Sequence, residues 1–212
     1  MMQRIRALAC CLALGSGVPV VAGAATPAFD CHRASGAVET LICNNAKLTQ
    51  LDVIMDRVYQ QSLRAASGLA ALPDVAIREL KATQRGWVKS RNDCWKAPSV
   101  RRCVTDEYTR RISELQVKWQ LVSAQGSSRF RCEDGTPFTL TRYPTAQRPA
   151  VSIEYEQRHE VYVATDGGGN GRYDGLFGRS LTLHGDDAVF VPDVSRPELH
   201  CSREAPDPGT SP

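Results

Sequence analysis

Residues 166 to 175 read Asp-Gly-Gly-Gly-Asn-Gly-Arg-Tyr-Asp-Gly, a composition that could serve three kinds of chemistry. A dinucleotide loop needs G-x-G-x-x-G between a strand and a helix, but Arg172 occupies the third glycine position and no helical pattern follows. A calcium loop needs side-chain oxygens at alternating positions and a terminal bidentate Glu. Asp166 and Asn170-Gly171 satisfy part of it, but Gly168 and Phe177 stand where ligands belong. What remains is a long hairpin loop whose glycines accept positive φ and which can project an arginine and a tyrosine.

Other candidates for chemistry are sparse. No nucleophile sits in an elbow motif, and no His/Cys/Asp arrangement stands out. His159, His184 and His200 fall in a region of strand-like pattern and read as strand or surface residues. Asp186-Asp187 could be paired carboxylates, yet directly after Gly185 they read as a turn. Trp87 and Trp119 lie on helical stripes and read as packing; Trp95, beside Cys94 in a connection, stays open as a sugar-stacking residue. No Cys-x2-Cys pair occurs, so neither a metal nor any other cofactor is expected.

The elements that hold these residues begin after a leader. Met-Met-Gln-Arg-Ile-Arg precedes an apolar run from Ala7 to about Val21, and Ala22-Gly23-Ala24 supplies small residues for cleavage. Residues 1–25 therefore read as a secretory signal peptide, and no membrane span is expected in the mature chain. Ala7-Leu8-Ala9-Cys10 resembles a lipoprotein cleavage box, but the apolar stretch before it is too short. Of eight cysteines, Cys31, Cys43, Cys94, Cys103, Cys132 and Cys201 remain after the leader, an even set that implies disulfides formed in a periplasmic or secreted setting. Residues 25–128 carry 15 basic and 10 acidic side chains, and residues 129–212 carry 9 and 13. Opposite signs in the two halves suggest two domains, the second biased towards basic partners; nothing points to nucleic acid.

Apolar residues recur at helical spacing in three stripes: Leu48, Leu51, Met55, Val58 and Ser62; Ile77, Leu80, Gln84, Trp87 and Arg91; Val104, Tyr108, Ile112, Leu115, Trp119 and Val122. Asp74, after Pro73, is the expected cap of the middle helix, Ala97-Pro98-Ser99 ends it, and a short helix is expected between Cys31 and Cys43. Arg85, Lys89 and Arg91 are expected on the helical surface. If the first two long helices form an antiparallel hairpin, Cys43 falls near Cys94 or Cys103. Four cysteines allow three pairings, and the expected one ties the N-terminal helix to the 94–103 connection. Beyond residue 128 the period becomes two: Phe138–Tyr143, Val151–Tyr155, Glu160–Ala164, Ser180–His184 and Ala188–Val191 alternate or are β-branched, which argues a small antiparallel barrel or sandwich. A Cys132–Cys201 bridge would fasten its first strand to its last. The expected fold is α + β in two domains: a disulfide-bonded helical domain over 26–124, a small antiparallel β-barrel over 129–204, and a disordered tail over 205–212.

The helical half resembles the LprI-type lysozyme inhibitors through Phe29-Asp30-Cys31, Glu39-Thr40-Leu41-Ile42-Cys43, Leu51-Asp52, Tyr59, Gln84-Arg85-Gly86-Trp87, Arg91-Asn92-Asp93-Cys94, Cys103 and Tyr108. The β half is similar to the MliC/PliC inhibitors of c-type lysozyme through Phe130-Arg131-Cys132, Gly171-Arg172-Tyr173-Asp174-Gly175, His184-Gly185-Asp186-Asp187-Ala188 and Cys201. That second resemblance implies a loop and a later turn entering the lysozyme cleft, with Gly169, Asn170, Gly171, Arg172, Tyr173, His184 and Gly185 as contacts. Gly169 stands where the family has serine and His184 where it has lysine, so two donors aimed at the catalytic carboxylates are missing. The function implied is a non-enzymatic exported inhibitor of c-type lysozyme. The reading from a different class is an envelope-binding or structural module that contacts peptidoglycan or a periplasmic protein; a hydrolase using Asp186 or Asp187 ranks last.

Overall fold

The computed structural model describes residues 26–144, 147–165 and 171–205. The expected signal peptide, Gly169, Asn170 and tail residues 206–212 lie outside the described residues.

The chain begins with a single 3-10 turn, Cys31–Arg33, capped by the Asp30 carboxylate, which accepts from the His32 amide at 2.9 Å. Four helices follow: α1 (Ala37–Cys43), α2 (Ala46–Ser67), α3 (Pro73–Asn92) and α4 (Val100–Lys118). Asn45 caps α2 by accepting from the Leu48 amide at 3.1 Å. The start of α3 departs from expectation: Leu72, at φ 51°, is its N-cap, and Asp74 lies inside the first turn. Pro73 at the first helical position favours the start instead, because its ring presets a helical φ and its missing amide would have had no partner within the helix. Val38, Ile42, Leu48, Met55, Val58, Leu80, Val104, Tyr108, Ile112 and Leu115 form one apolar core among the four helices.

The disulfides of this region are Cys31–Cys43 and Cys94–Cys103, separated by 12 and 9 residues, and they correct the expected tie between the N-terminal helix and the 94–103 connection. The seven-residue α1 turns Cys43 back to within 5.9 Å (Cα–Cα) of Cys31, and the Ala97–Ser99 bend returns Cys103 to within 5.6 Å of Cys94. Each bridge therefore closes a local loop. The link between α1 and the end of α3 is made by packing and by the Asn92 amide donating to Glu39 at 3.4 Å.

Eight strands close into an antiparallel barrel in sequence order: β1 (Gly126–Cys132), β2 (Pro137–Tyr143), β3 (Ala150–Tyr155), β4 (Arg158–Ala164), β5 (Arg172–Asp174), β6 (Ser180–His184), β7 (Asp187–Val191) and β8 (Leu199–Arg203). Closure occurs where β1 pairs β8, and Cys132 and Cys201 are both register partners and disulfide partners. Inward residues include Phe130, Phe138, Leu140, Ile153, Tyr162, Leu181 and Phe190; Phe138 stacks on Phe130 and tilts against Phe190, each at 4.9 Å between centroids. Such a barrel has no free edge, and aromatic rings fill much of its interior.

The helices and the barrel touch along α4. Val117 packs with Ala150 and Val163 in a small apolar cluster, flanked by Tyr143 and Val161. Around it, Ser113 Oγ donates to the Arg148 carbonyl at 3.0 Å, Arg148 Nε donates to Thr109 Oγ1 at 2.9 Å, and the Arg148 guanidinium pairs with Asp106.

Candidate functional site

One rim of the barrel carries the β4–β5 loop, the β6–β7 turn and the β2–β3 connection, as the antiparallel register requires. The β4–β5 hairpin closes at Thr165, whose amide donates to the Arg172 carbonyl at 2.9 Å. Gly171 sits at φ +69°, and a Cβ there would collide with the Leu183 carbonyl oxygen. Only glycine permits that approach, which brings the Leu183 amide to 3.0 Å from the Gly171 carbonyl and pins the loop's exit to β6.

Strand alternation then sorts the expected contact residues. Arg172 points outward and Tyr173 packs, partly buried, against the barrel core. The Arg172 guanidinium is 3.1 Å from Asp174, two residues along on the same face. Arg172 registers with Thr182, and His184 lies two residues beyond Thr182, so Arg172 and His184 share the outer face. His184 is exposed at the end of β6, opposite Asp187. Gly185, at φ +65°, makes the turn, and its carbonyl accepts from Arg203 at 3.5 Å. Asp186 pairs with Arg203 at 3.3 Å and Asp187 accepts from Ser202 at 2.9 Å, so the two carboxylates belong to the turn and its neighbouring strand. Thus Arg172, His184 and Gly185 come together on one rim with Gly171 at its edge. The opposite rim carries exposed Leu176, Phe177 and Val194.

Sequence reasoning missed the side chains that hold this rim. Arg110 Nη2, from α4, donates to the carbonyls of Gly175 at 3.0 Å and Asp174 at 3.4 Å, where β5 ends. Arg148 Nη1 donates to the Ala164 carbonyl at 3.3 Å, at the end of β4. Arg110, Ser113 and Val117 recur at intervals of three and four along α4. That is a legible interface stripe, but two of the three are polar.

A second concave surface, a groove of about 570 Å³, opens among the helices beside Phe29, Glu39, Tyr59 and Trp87. Its floor is a buried polar network. Tyr108 Oη donates to Asp52 at 2.6 Å, Arg91 Nη1 donates to Tyr108 Oη at 2.8 Å, and the Ala28 amide donates to the other Asp52 oxygen at 2.7 Å. Burial, more than its charged neighbours, pushes the Tyr108 phenol far above its ordinary range. Arg91, expected on the surface, is buried, with its guanidinium 5.4 Å from the Trp87 ring centroid. Trp87 also meets Tyr108 edge-on at 5.3 Å, while Trp119 packs against the helical core, so both read as packing. Trp95 is exposed under Lys96. Among the described residues, no group of three or more His, Cys, Asp or Glu could hold a metal, and no helix is long and apolar enough to cross a membrane.

A helical unit with two local disulfides, docked on a closed barrel with a third, points to an extracytoplasmic protein, since such bridges form and persist in oxidising compartments. Residues 31–115 match the family described as "Lysozyme inhibitor LprI". The chain is 24% identical to the lipoprotein LprI of Mycobacterium bovis and of Mycobacterium tuberculosis over 147 residues, 68% of this chain and 70% of the relative. No solved structure matches the chain. Members of that family are described as inhibitors of lysozyme. The Phe29, Asp52, Tyr59, Gln84, Trp87 and Arg91 positions that carry the resemblance all line the helical groove.

Proposed function

We propose that this chain is an exported inhibitor of c-type lysozyme, located in the periplasm or secreted, that presents Gly171, Arg172, His184 and Gly185, together with Gly169 and Asn170, to the enzyme's cleft, with Tyr173 anchoring the strand against the barrel core. The observation that carries the reading is the sharing of one outward face by Arg172 and His184 on the rim where Gly171 pins the loop to β6. A lysozyme works through two carboxyl groups flanking the scissile bond, so a cation on a preorganised rim opposes the cleft in charge. Arg172 would exchange Asp174 for an enzyme carboxylate, and His184 would lie beside it on the same outward face.

The test is hydrolysis of a cell-wall suspension by c-type lysozyme, titrated with the mature chain and with Arg172→Ala. Truncating one member of a buried charge pair costs about 2–5 kcal/mol, so the variant should inhibit at least about 30-fold more weakly. An unchanged inhibition constant for the variant would move the contact off this rim. An inactive wild type that is retained by cell wall would favour the envelope-binding reading.

A further inference from the structure

Strand β5 is three residues long; all three pair with β6, and it meets the β4 side at Val163↔Asp174, Ala164↔Tyr173 and through the Thr165 amide on the Arg172 carbonyl. Its neighbours β4 and β6 span seven and five residues. A guanidinium displayed from so short a strand loses affinity through every conformation it can sample, because ordering on binding opposes association. Beyond these ladders, two arginine side chains anchored on α4 bond main-chain carbonyls here. Arg110 of α4 closes its end by donating to the Asp174 and Gly175 carbonyls. Arg148, in the β2–β3 connection, reaches the carbonyl of Ala164, the register partner of Tyr173. Arg148 is itself held by α4 at four points: Asp106, Thr109, and Ser113 through both its amide and its carbonyl. Gly175 packs closely over the Tyr162 ring, where an added Cβ would lie 2.8 Å from it.

We infer that Arg110 and Arg148 are positioning residues through which helix α4 fixes strand β5, so that the helical unit sets how rigidly Arg172 is presented to the partner. The inference rests on the lysozyme reading for its functional half, while its structural half stands without any partner. Arginine suits the role because its planar fork reaches two carbonyls, or a carbonyl, a hydroxyl and a carboxylate, at once; lysine offers a single point charge.

The experiment uses the full chain with Arg110→Ala, Arg148→Ala and Arg148→Lys, and reads three quantities. These are the inhibition constant against c-type lysozyme, the global stability in urea, and amide exchange at Thr165 and Leu183, the donors to Arg172 and Gly171. The expected result is about tenfold faster exchange at those two amides and about tenfold weaker inhibition in both alanine variants. Exchange in β2 and β7 should match the wild type. Arg148→Lys should recover part of the global stability through Asp106 but not the exchange protection. If exchange at Thr165 and Leu183 rises only in proportion to a global loss of stability, the two arginines merely hold the fold and the inference fails. If exchange rises locally and inhibition is unchanged, β5 rigidity plays no part in inhibition and the functional half fails. A wild type that does not inhibit lysozyme, yet whose variants show the local exchange change, overturns the lysozyme reading and leaves the positioning role standing.

Discussion

Replacing Asp52 by alanine tests whether the groove that collects the family-signature residues is structural. Asp52 and Arg91 have side chains only 8% and 5% exposed, with 3.7 Å between carboxylate and guanidinium. The substitution removes the acceptor for Tyr108 Oη and for the Ala28 amide, and it leaves the Arg91 charge buried with Tyr108 Oη and Asn92 as remaining acceptors. Breaking a buried pair by removing one partner costs about 3–5 kcal/mol. In a chain of roughly 150–250 residues each kcal/mol lowers Tm by about 2–4 °C, so the drop should fall near 6–20 °C. Asp52→Asn keeps an oxygen for Tyr108 and should lose less. Urea unfolding followed by tryptophan fluorescence reads the change, since Trp87 sits against both Arg91 and Tyr108. A loss below about 1 kcal/mol would refute the reasoning, because it would mean that the buried charge finds water or another partner. The folded variant should inhibit lysozyme as the wild type does. Inhibition lost at unchanged stability would instead make the helical groove a contact site.

Three further outcomes follow from the same geometry. Removing Cys132–Cys201, which closes a loop of 69 residues, should cost about 4 kcal/mol, and removing Cys94–Cys103, which closes 9, about 3 kcal/mol on the chain-entropy account; the reverse order in urea unfolding of the paired Cys→Ala variants would count against it. Burial, ahead of its charged neighbours, raises the Glu107 carboxyl above its ordinary value, so the folded state holds that proton more tightly than the unfolded state. Its stabilising contribution is complete below the unfolded carboxyl value and lost as pH rises through the folded one. Glu107→Gln should therefore raise Tm at pH 7 by an amount that shrinks towards pH 4, and a lower Tm at pH 7 would contradict the assignment. Ser113→Ala leaves the Arg148 main-chain amide and carbonyl without the hydroxyl they share and should loosen the helix–barrel junction. Limited proteolysis between residues 119 and 125 should quicken, and an unchanged rate would show that Val117, Ala150 and Val163 hold the junction alone.

The helices were legible because each buries one stripe at a 3.6-residue period, and even Ser62 and Arg91, odd members of those stripes, are buried as the spacing requires. The mistake about Arg91 was chemical: a lone arginine reads as surface, and its partners Asp52 and Tyr108 lie on two other helices. Five strands showed in the alternation, whereas β1, β5 and β8 did not. β1 opens Gly-Ser-Ser-Arg and turns only Phe130 and Cys132 fully inward, β5 has three residues, and β8 is polar except at Leu199 and Cys201. The disulfides of the helical half were misjudged because proximity after folding outweighed the cheaper closure of short local loops. The candidate rim was legible as a glycine-rich run, but its support was not, since Arg110 and Arg148 act on main-chain carbonyls, which leave no mark in a sequence.

The account turns on the β5 rim meeting lysozyme, and a hydrogen-exchange footprint of the full chain with and without a saturating c-type lysozyme tests that most directly. Protection should appear at Gly171–Asp174 and His184–Gly185, with α2 and α3 unchanged. Protection confined to α2 and α3, around the groove beside Tyr59 and Trp87, would contradict the account and make the helical unit the inhibitor.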